Sequence, residues 1–513
     1  MSGHSKATDL PAHGEWISPD KLRVAKVLSL LVGAPALGFV YFLMFFRNSH
    51  DPANPGQGDV ACYSYLFALS FFVTLGFGGL FWTILHHATN SGWGITVRRQ
   101  MENIAGVLPW VLILMVPFWC PLVREDLWEW ELEAKNLIHS AEVRLPAALA
   151  HETEKWEGEK KQVSQKLDRL KAILVSAKGK GTEAGGEAAL LEGQEQVLAQ
   201  ELQRLERQKP DAASVKAHLM REKDSMLTGK LEAYFDGGYH AAYVRLGAYT
   251  VVFMLIVFLL RKWSIDNDKQ RDPKLFLRSR YWSCFFIFPF ALGFTFLVVD
   301  LIMALNYKWY STMWGVYFFA GAALSSMALL ILIVSWLKSL GYLRNVVTEE
   351  HYHLMGKFLL TFCIFWAYIA FSQYFLIWYS NITEETQFFL LRNSGGWNAV
   401  SIFLVVGHFF VPFVILLWRP VKKRAALLCA VCVWILLMHL LDMYWVVIPE
   451  RAPSLTAAGG NPQLWTSGVW GVDVLSFVGV AGILTFAFLQ ILGRSSVYPC
   501  GDPRLEESIH VTN

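Results

Sequence analysis

Ten apolar runs alternate along this chain with short polar turns and one long polar stretch. They fall at about 25–46, 62–86, 103–123, 241–261, 281–304, 313–337, 355–379, 397–418, 425–447 and 469–492. A bilayer core needs roughly 20 apolar residues in a helix, and the helix is one of the few conformations that satisfies every backbone group in lipid. The pattern predicts an all-α polytopic membrane bundle of about ten transmembrane helices. Residues 1–123 then hold the N-terminal tail and three spans, 124–240 a polar insert, and 241–513 spans four to ten with the C-terminal tail.

The insert has a pattern of its own. Leu149, Trp156, Val163, Leu167, Leu170 and Leu174 step by sevens, fours and threes, and so do Leu191, Leu198, Leu202 and Leu205. Gly179-Lys180-Gly181-Thr182-Glu183-Ala184-Gly185-Gly186 separates the two runs, and Pro210 follows the second. The heptad spacing predicts an antiparallel coiled-coil hairpin at roughly 145–210. Such a hairpin serves either as a docking arm or as a solvated spacer.

Charge in the turns sets the orientation. The loop from Arg261 to Arg280 and the turn Arg419–Arg424 are rich in Lys and Arg, with Arg98, Arg99, Lys338, Arg344 and Lys357 in the other even turns. Turns one, five, seven and nine carry one basic residue each: Arg47, Lys308, Arg392 and Arg451. The positive-inside bias puts both termini in the cytoplasm and the insert outside, an arrangement consistent only with an even span number. The 17% of charged residues is below the soluble average of about 25%. Net charge is +3, with no basic stripe for nucleic acid. The polar start, Met1 to Pro19, lacks the pattern of a cleaved signal peptide. The seven cysteines fall mostly inside apolar runs, which argues against a disulfide framework.

Ionisable residues inside spans are costly and are the first functional candidates. His86, His87, Arg98, Arg99 and Glu102 cluster at the turn after span two. The four- and three-residue spacings allow Arg98 and Arg99 to pair with Glu102, as part of a site or as an interfacial anchor. Asp300 lies late in span five and His408 inside span eight. His439 and Asp442 share a helical face of span nine, and Tyr368, Ser372 and Gln373 form a polar stripe in span seven. Such groups could relay protons or hydrogen-bond a quinone head, whose carbonyls need donors and whose quinol form needs a proton acceptor. Cys429 and Cys432 form a C-x-x-C without a following His, so no c-type haem site is read there. No histidine pair is placed so as to demand haem b, and no metal site is expected.

His87-Ala88-Thr89-Asn90-Ser91-Gly92-Trp93, then Arg98-Arg99 and Glu102, resembles the second-span motif of the ActF type of NrfD-like membrane subunits. These belong to bacterial alternative complex III, a quinol:cytochrome c oxidoreductase. Asp300 to Gly321 and Phe365 to Glu385 resemble the same family, and the likeness extends over the membrane-embedded chain. The resemblance implies a multi-pass subunit of the bacterial cytoplasmic membrane. Its partners would be a second NrfD-like subunit, an iron–sulfur protein, multihaem cytochromes c and membrane lipid. Quinol or menaquinol would be the substrate of the complex, oxidised mainly at the sister subunit. Haem c and iron–sulfur clusters would reside in partners, and this subunit would hold no cofactor of its own and would not be catalytic alone. By position, His87, Asp300, Gln373, His408, His439 and Asp442 form the candidate polar path. The insert departs from the family pattern and leaves partner geometry open on that side. A secondary transporter and a purely structural anchor are the other readings that ten spans with polar groups at depth allow.

Overall fold

The computed structural model describes residues 10–11, 13–46, 57–178, 185–235, 240–451 and 469–512. These residues form helices and turns, with no strand among them. Two compact units result: residues 1–129 with 240–513, and residues 130–239.

Among the described residues ten helices are long and apolar enough to cross a membrane. They are Pro19–Phe46, Val60–Ala88, Ile95–Trp119, Val244–Gln270, Pro273–Leu305, Trp314–Ser339, Glu349–Ser380, Trp397–Leu417, Ala425–Arg451 and Trp470–Leu492, here spans one to ten. Spans two and six form the core, with 83% and 78% of their most apolar windows buried, against 28–44% for all others but span three. Small residues make this close packing possible, as is usual where lipid offers no hydrophobic drive. A Cβ on Gly78 of span two would overlap the Ser326 hydroxyl of span six. Span one lies against span ten in the same way, where a Cβ on Gly33 would meet Gly482 Cα at 2.7 Å.

Span three differs most from expectation. It begins at Ile95 rather than near 103, and Arg98, Arg99 and Glu102 lie buried in its first turns. Partners from elsewhere in the chain neutralise these charges, which hydropathy alone cannot register. Beyond Ala105 the span continues as the short helix Leu108–Leu114 and a 3-10 turn, Val116–Trp119, each with a proline at its start.

The second unit contains helices Glu129–Lys178, Gly185–Arg207, Ala212–Lys223 and Ser225–Phe235. Val163, Leu167 and Leu174 of the predicted heptad positions are buried. The Trp156 indole donates to the Leu205 carbonyl at 2.8 Å, and Lys160 pairs with Glu206 at 3.0 Å. Residues 179–184 of the predicted breaker lie outside the described residues, and Gly185 and Gly186 open the second helix. After Pro210, Asp211 starts the third helix by accepting from the Ser214 amide at 2.6 Å.

Candidate functional site

Two buried polar clusters occupy opposite halves of the membrane unit. The C-terminal tail and the turns after spans two, four, six and eight mark one end of the bundle, here the tail end. The turns after spans five, seven and nine mark the far end.

In the far half, spans six to nine and the short helix Thr383–Arg392 enclose a cavity of about 510 Å3. Trp314, Trp366, Tyr374, Phe388, Phe389 and Trp445 provide aromatic walls. Phe371, Ile402, Val405 and Phe410 also line it while remaining more than half exposed, so it opens between spans seven and eight on the surface a bilayer covers.

Asp442 lies on the cavity wall, almost wholly buried. The Tyr317 hydroxyl donates to one of its oxygens, and the Trp366 indole donates to the other at 3.2 Å. His439 Nδ1 stands 4.0 Å from that second oxygen, as the three-residue spacing predicts. The other ring nitrogen, Nε2, shares a hydrogen bond of 2.8 Å with Thr74 of span two. Gly321 makes room for this imidazole: a Cβ there would lie 2.9 Å from His439 Cε1.

His408 sits behind Trp366, with ring centroids 4.0 Å apart, and 6.1 Å from the His439 ring. Neither of its ring nitrogens has a hydrogen-bond partner among the described residues. It belongs to a π-helical segment, Val405–Phe410, inside span eight. Pro412 explains the need for it. A proline has no N–H, so the carbonyls four and five residues back lose their donor. These are His408 and Gly407, and both are served from outside: Cys363 Sγ donates to His408 O at 3.5 Å and Trp434 to Gly407 O at 2.7 Å.

Behind the lining rings of Phe388 and Trp445, 3.4 and 5.2 Å from its guanidinium, stands Arg392, which is fully buried. It donates to the carbonyls of Phe388, Trp445 and Val446 at 3.0, 3.0 and 2.6 Å and pairs with Glu450 at 2.9 Å. Burial works against its charge and Glu450 supports it. Gln373 lines the cavity and donates to Ser311 at 2.6 Å.

The tail-end cluster is built on ions. Arg98 pairs with Asp502 at 2.8 Å and with Glu102 at 3.5 Å. Arg99 pairs with Asp268 at 2.5 Å and with Glu102 at 3.3 Å. Ser264 donates to Glu102 at 2.8 Å, and Arg261 donates to Asn103 at 2.7 Å. Asp502 sits in the C-terminal tail, so these pairs clasp the tail onto span three. Gln100 adds a bond to Val497 O at 2.7 Å, and Arg504 one to Asn90 O at 2.6 Å. His86 and His87 lie buried beside this network with no hydrogen bond to either ring among the described residues, though His87 Nε2 is 4.0 Å from Glu102.

Other predicted residues stand apart. Asp300 pairs with Arg245 and accepts from Tyr249, both at 3.2 Å, away from either cluster. Tyr368 is 63% exposed on the bilayer face of span seven, whereas Gln373 on the same helix faces the cavity. Sequence reasoning did not single out Tyr317, Thr74, Asp268 or Asp502. Among the described residues no three His, Cys, Asp or Glu side chains gather as a metal-ion site.

The fold and these clusters define a multi-pass membrane protein with a lipid-facing cavity and a carboxylate on its wall. No protein-family model matches the chain, and no curated protein matches it.

Proposed function

We propose that this chain is a membrane subunit of a respiratory quinol:cytochrome c oxidoreductase of the alternative complex III type, in the bacterial cytoplasmic membrane. Its role is to support quinol oxidation with a proton acceptor beside a lipid-facing cavity, while electrons pass to iron–sulfur clusters and haem c in partner subunits. The observation that carries this reading is Asp442 on the wall of the 510 Å3 cavity. That volume lies in the range of small-molecule sites, about 300–1,000 Å3. Aromatic walls suit a flat ring, and the opening toward lipid suits a ligand with a long apolar tail. Oxidation of a quinol to a quinone releases two electrons and two protons. Asp442 takes the first proton from a ring hydroxyl and passes it through one water to His439 Nδ1, 4.0 Å away, which frees the carboxylate to take the second.

The partners in this reading are a second NrfD-like subunit, an iron–sulfur protein and multihaem cytochromes c. Both termini face the cytoplasm, and the insert is a periplasmic coiled-coil arm that reaches toward those partners. The test is isolation of the complex through an N-terminal tag on this chain. Co-purification of c-type haem protein and an iron–sulfur protein is expected, with quinol-dependent cytochrome c reduction. Asp442→Asn should leave assembly intact and lower turnover by about 10²-fold, within the range for loss of a general base. Purification free of any haem protein, or full turnover in the Asp442→Asn variant, overturns the reading. Solute accumulation by the chain reconstituted alone would favour a secondary transporter instead.

A further inference from the structure

At the tail end, spans seven and eight meet in a corner that the quinol reading does not use. Lys357 lies near the start of span seven. The short helix Arg419–Lys423 and Arg424 follow span eight. Lys422 stretches across span seven at Gly356, where a Cβ would come within 2.8 Å of its Cγ. Its ammonium donates to Leu416 O at 2.5 Å and to Leu417 O at 3.5 Å, which caps the end of span eight. Lys423 and His353 both reach Glu350, His353 at 3.5 Å. Glu349 lies within Coulombic range of Lys338 instead.

Among the described residues the corner therefore gathers five basic side chains, Lys357, Arg419, Lys422, Lys423 and Arg424, beside the Glu350 carboxylate that Lys423 and His353 reach. Like charges this close repel: after burial itself, the Lys357 charge is what pushes the Lys422 ammonium below its ordinary range. Clusters of four to eight Lys and Arg beside the end of a transmembrane helix attract anionic lipid headgroups, by about 1 kcal/mol per basic residue. The adjoining surface is apolar. Trp418 is 67% exposed, and Val414 and Leu417 beside it are exposed on span eight.

We propose that this corner binds the phosphodiester headgroup of an anionic lipid. Lys357 and Arg419, both exposed, contact the phosphate. Trp418 packs at the level of the glycerol, as interfacial tryptophans do. The acyl chains run along Val414 and Leu417. The apolar strip is why a lipid, and not free phosphate, is the occupant.

The test uses the full chain in neutral detergent, loaded with headgroup-labelled phosphatidylglycerol or phosphatidylcholine, with bound lipid counted after gel filtration. Wild type should retain phosphatidylglycerol selectively. Lys357→Gln/Arg419→Gln should lower its affinity by about 25-fold, at about fivefold per basic residue. Lys262→Gln/Arg278→Gln, at another corner of the same end, should leave it within about twofold of wild type. Equal retention of phosphatidylcholine, wild-type affinity in the Lys357/Arg419 variant, or full displacement by millimolar inorganic phosphate overturns the proposal. If that variant elutes as aggregate, a salt titration of the wild type decides. Retention that falls with salt supports the site, and salt-independent retention overturns it.

Discussion

The tail clasp yields a prediction whose size follows from the structure. Asp502→Asn keeps the side-chain shape and removes one charge from a pair in which both members are nearly inaccessible, at 2.8 Å. Loss of one partner of a buried pair costs about 3–5 kcal/mol, because the other charge stays buried. Glu102, 3.5 Å from Arg98, shares the load, so the lower figure of about 3 kcal/mol applies. The energy is lost from docking of the tail and not from the whole bundle. Cys500, two residues away, reports it. In the docked tail, burial and then the Asp268 charge push its thiol up to about 11. Cys500 is only partly exposed in the docked tail, so maleimide modification is slow there and speeds up on local opening. At 1.36 kcal/mol per decade, 3 kcal/mol raises the modification rate about 10²-fold, read by mass spectrometry of the Cys500 peptide. Arg98→Gln in the same chain removes the stranded charge and should recover most of the loss. A change below about threefold in the single variant, or a double variant that opens faster still, would refute the reasoning.

Gly321→Ala places a Cβ 2.9 Å from a fully buried imidazole, so a loss of about 1–3 kcal/mol is expected, with a lower melting temperature. Unchanged melting would show that the His439 pocket has slack. Trp434→Phe removes the donor to Gly407 O and strands a carbonyl that Pro412 cannot serve, at a cost of about 1–3 kcal/mol in thermal unfolding. In wild type, Cys500 modification should rise about tenfold per pH unit up to about 11, without a plateau at the ordinary value of about 8.5. The sign for stability follows: the docked tail holds a raised pKa, so its contribution is complete below about 8.5 and is lost as pH climbs through about 11.

The spans were legible because a bilayer imposes length and apolarity on every crossing segment. The His439–Asp442 pair was legible too, because the three-residue spacing on a helix guarantees proximity. What completes the site was not. Tyr317 stands in an aromatic run that carries no mark of a carboxylate partner, and Thr74 sits in an apolar helix. Only the packing of spans two, six and nine brings them together. Two signals were present and went unread: Pro412 four residues after His408, which demands a break in the helix ladder, and Gly321 one turn after Tyr317. The tail cluster shows the converse. Arg98, Arg99 and Glu102 form a recognisable group, yet Asp268 and Asp502 come from distant parts of the chain and have no pattern that ties them to it. Without them the three charges read as a membrane boundary, and the apolar run alone starts span three too late.

The two clusters use charge differently, and this difference is itself testable. At the tail end Arg98, Arg99 and Arg261 stand against Glu102, Asp268 and Asp502, and Glu102 lies within 3.5 Å of two guanidinium groups. Glu102→Gln leaves that buried network with an uncompensated positive charge and should cost about 3–5 kcal/mol. The protein should then accumulate poorly in the membrane. Among the described residues no Lys or Arg pairs with Asp442. Its bonds come from the neutral Tyr317 hydroxyl and the Trp366 indole, and His439 is 4.0 Å away. Asp442→Asn keeps an oxygen for one donor and strands no charge, so the loss should stay near 1 kcal/mol and accumulation near wild type. Such an outcome, a carboxylate that the fold can spare on the wall of a cavity, is what the proton-accepting role proposed for Asp442 requires. Quantitative blotting of membranes decides: if Asp442→Asn abolishes accumulation while Glu102→Gln is tolerated, the division between a structural clasp and a working carboxylate is wrong.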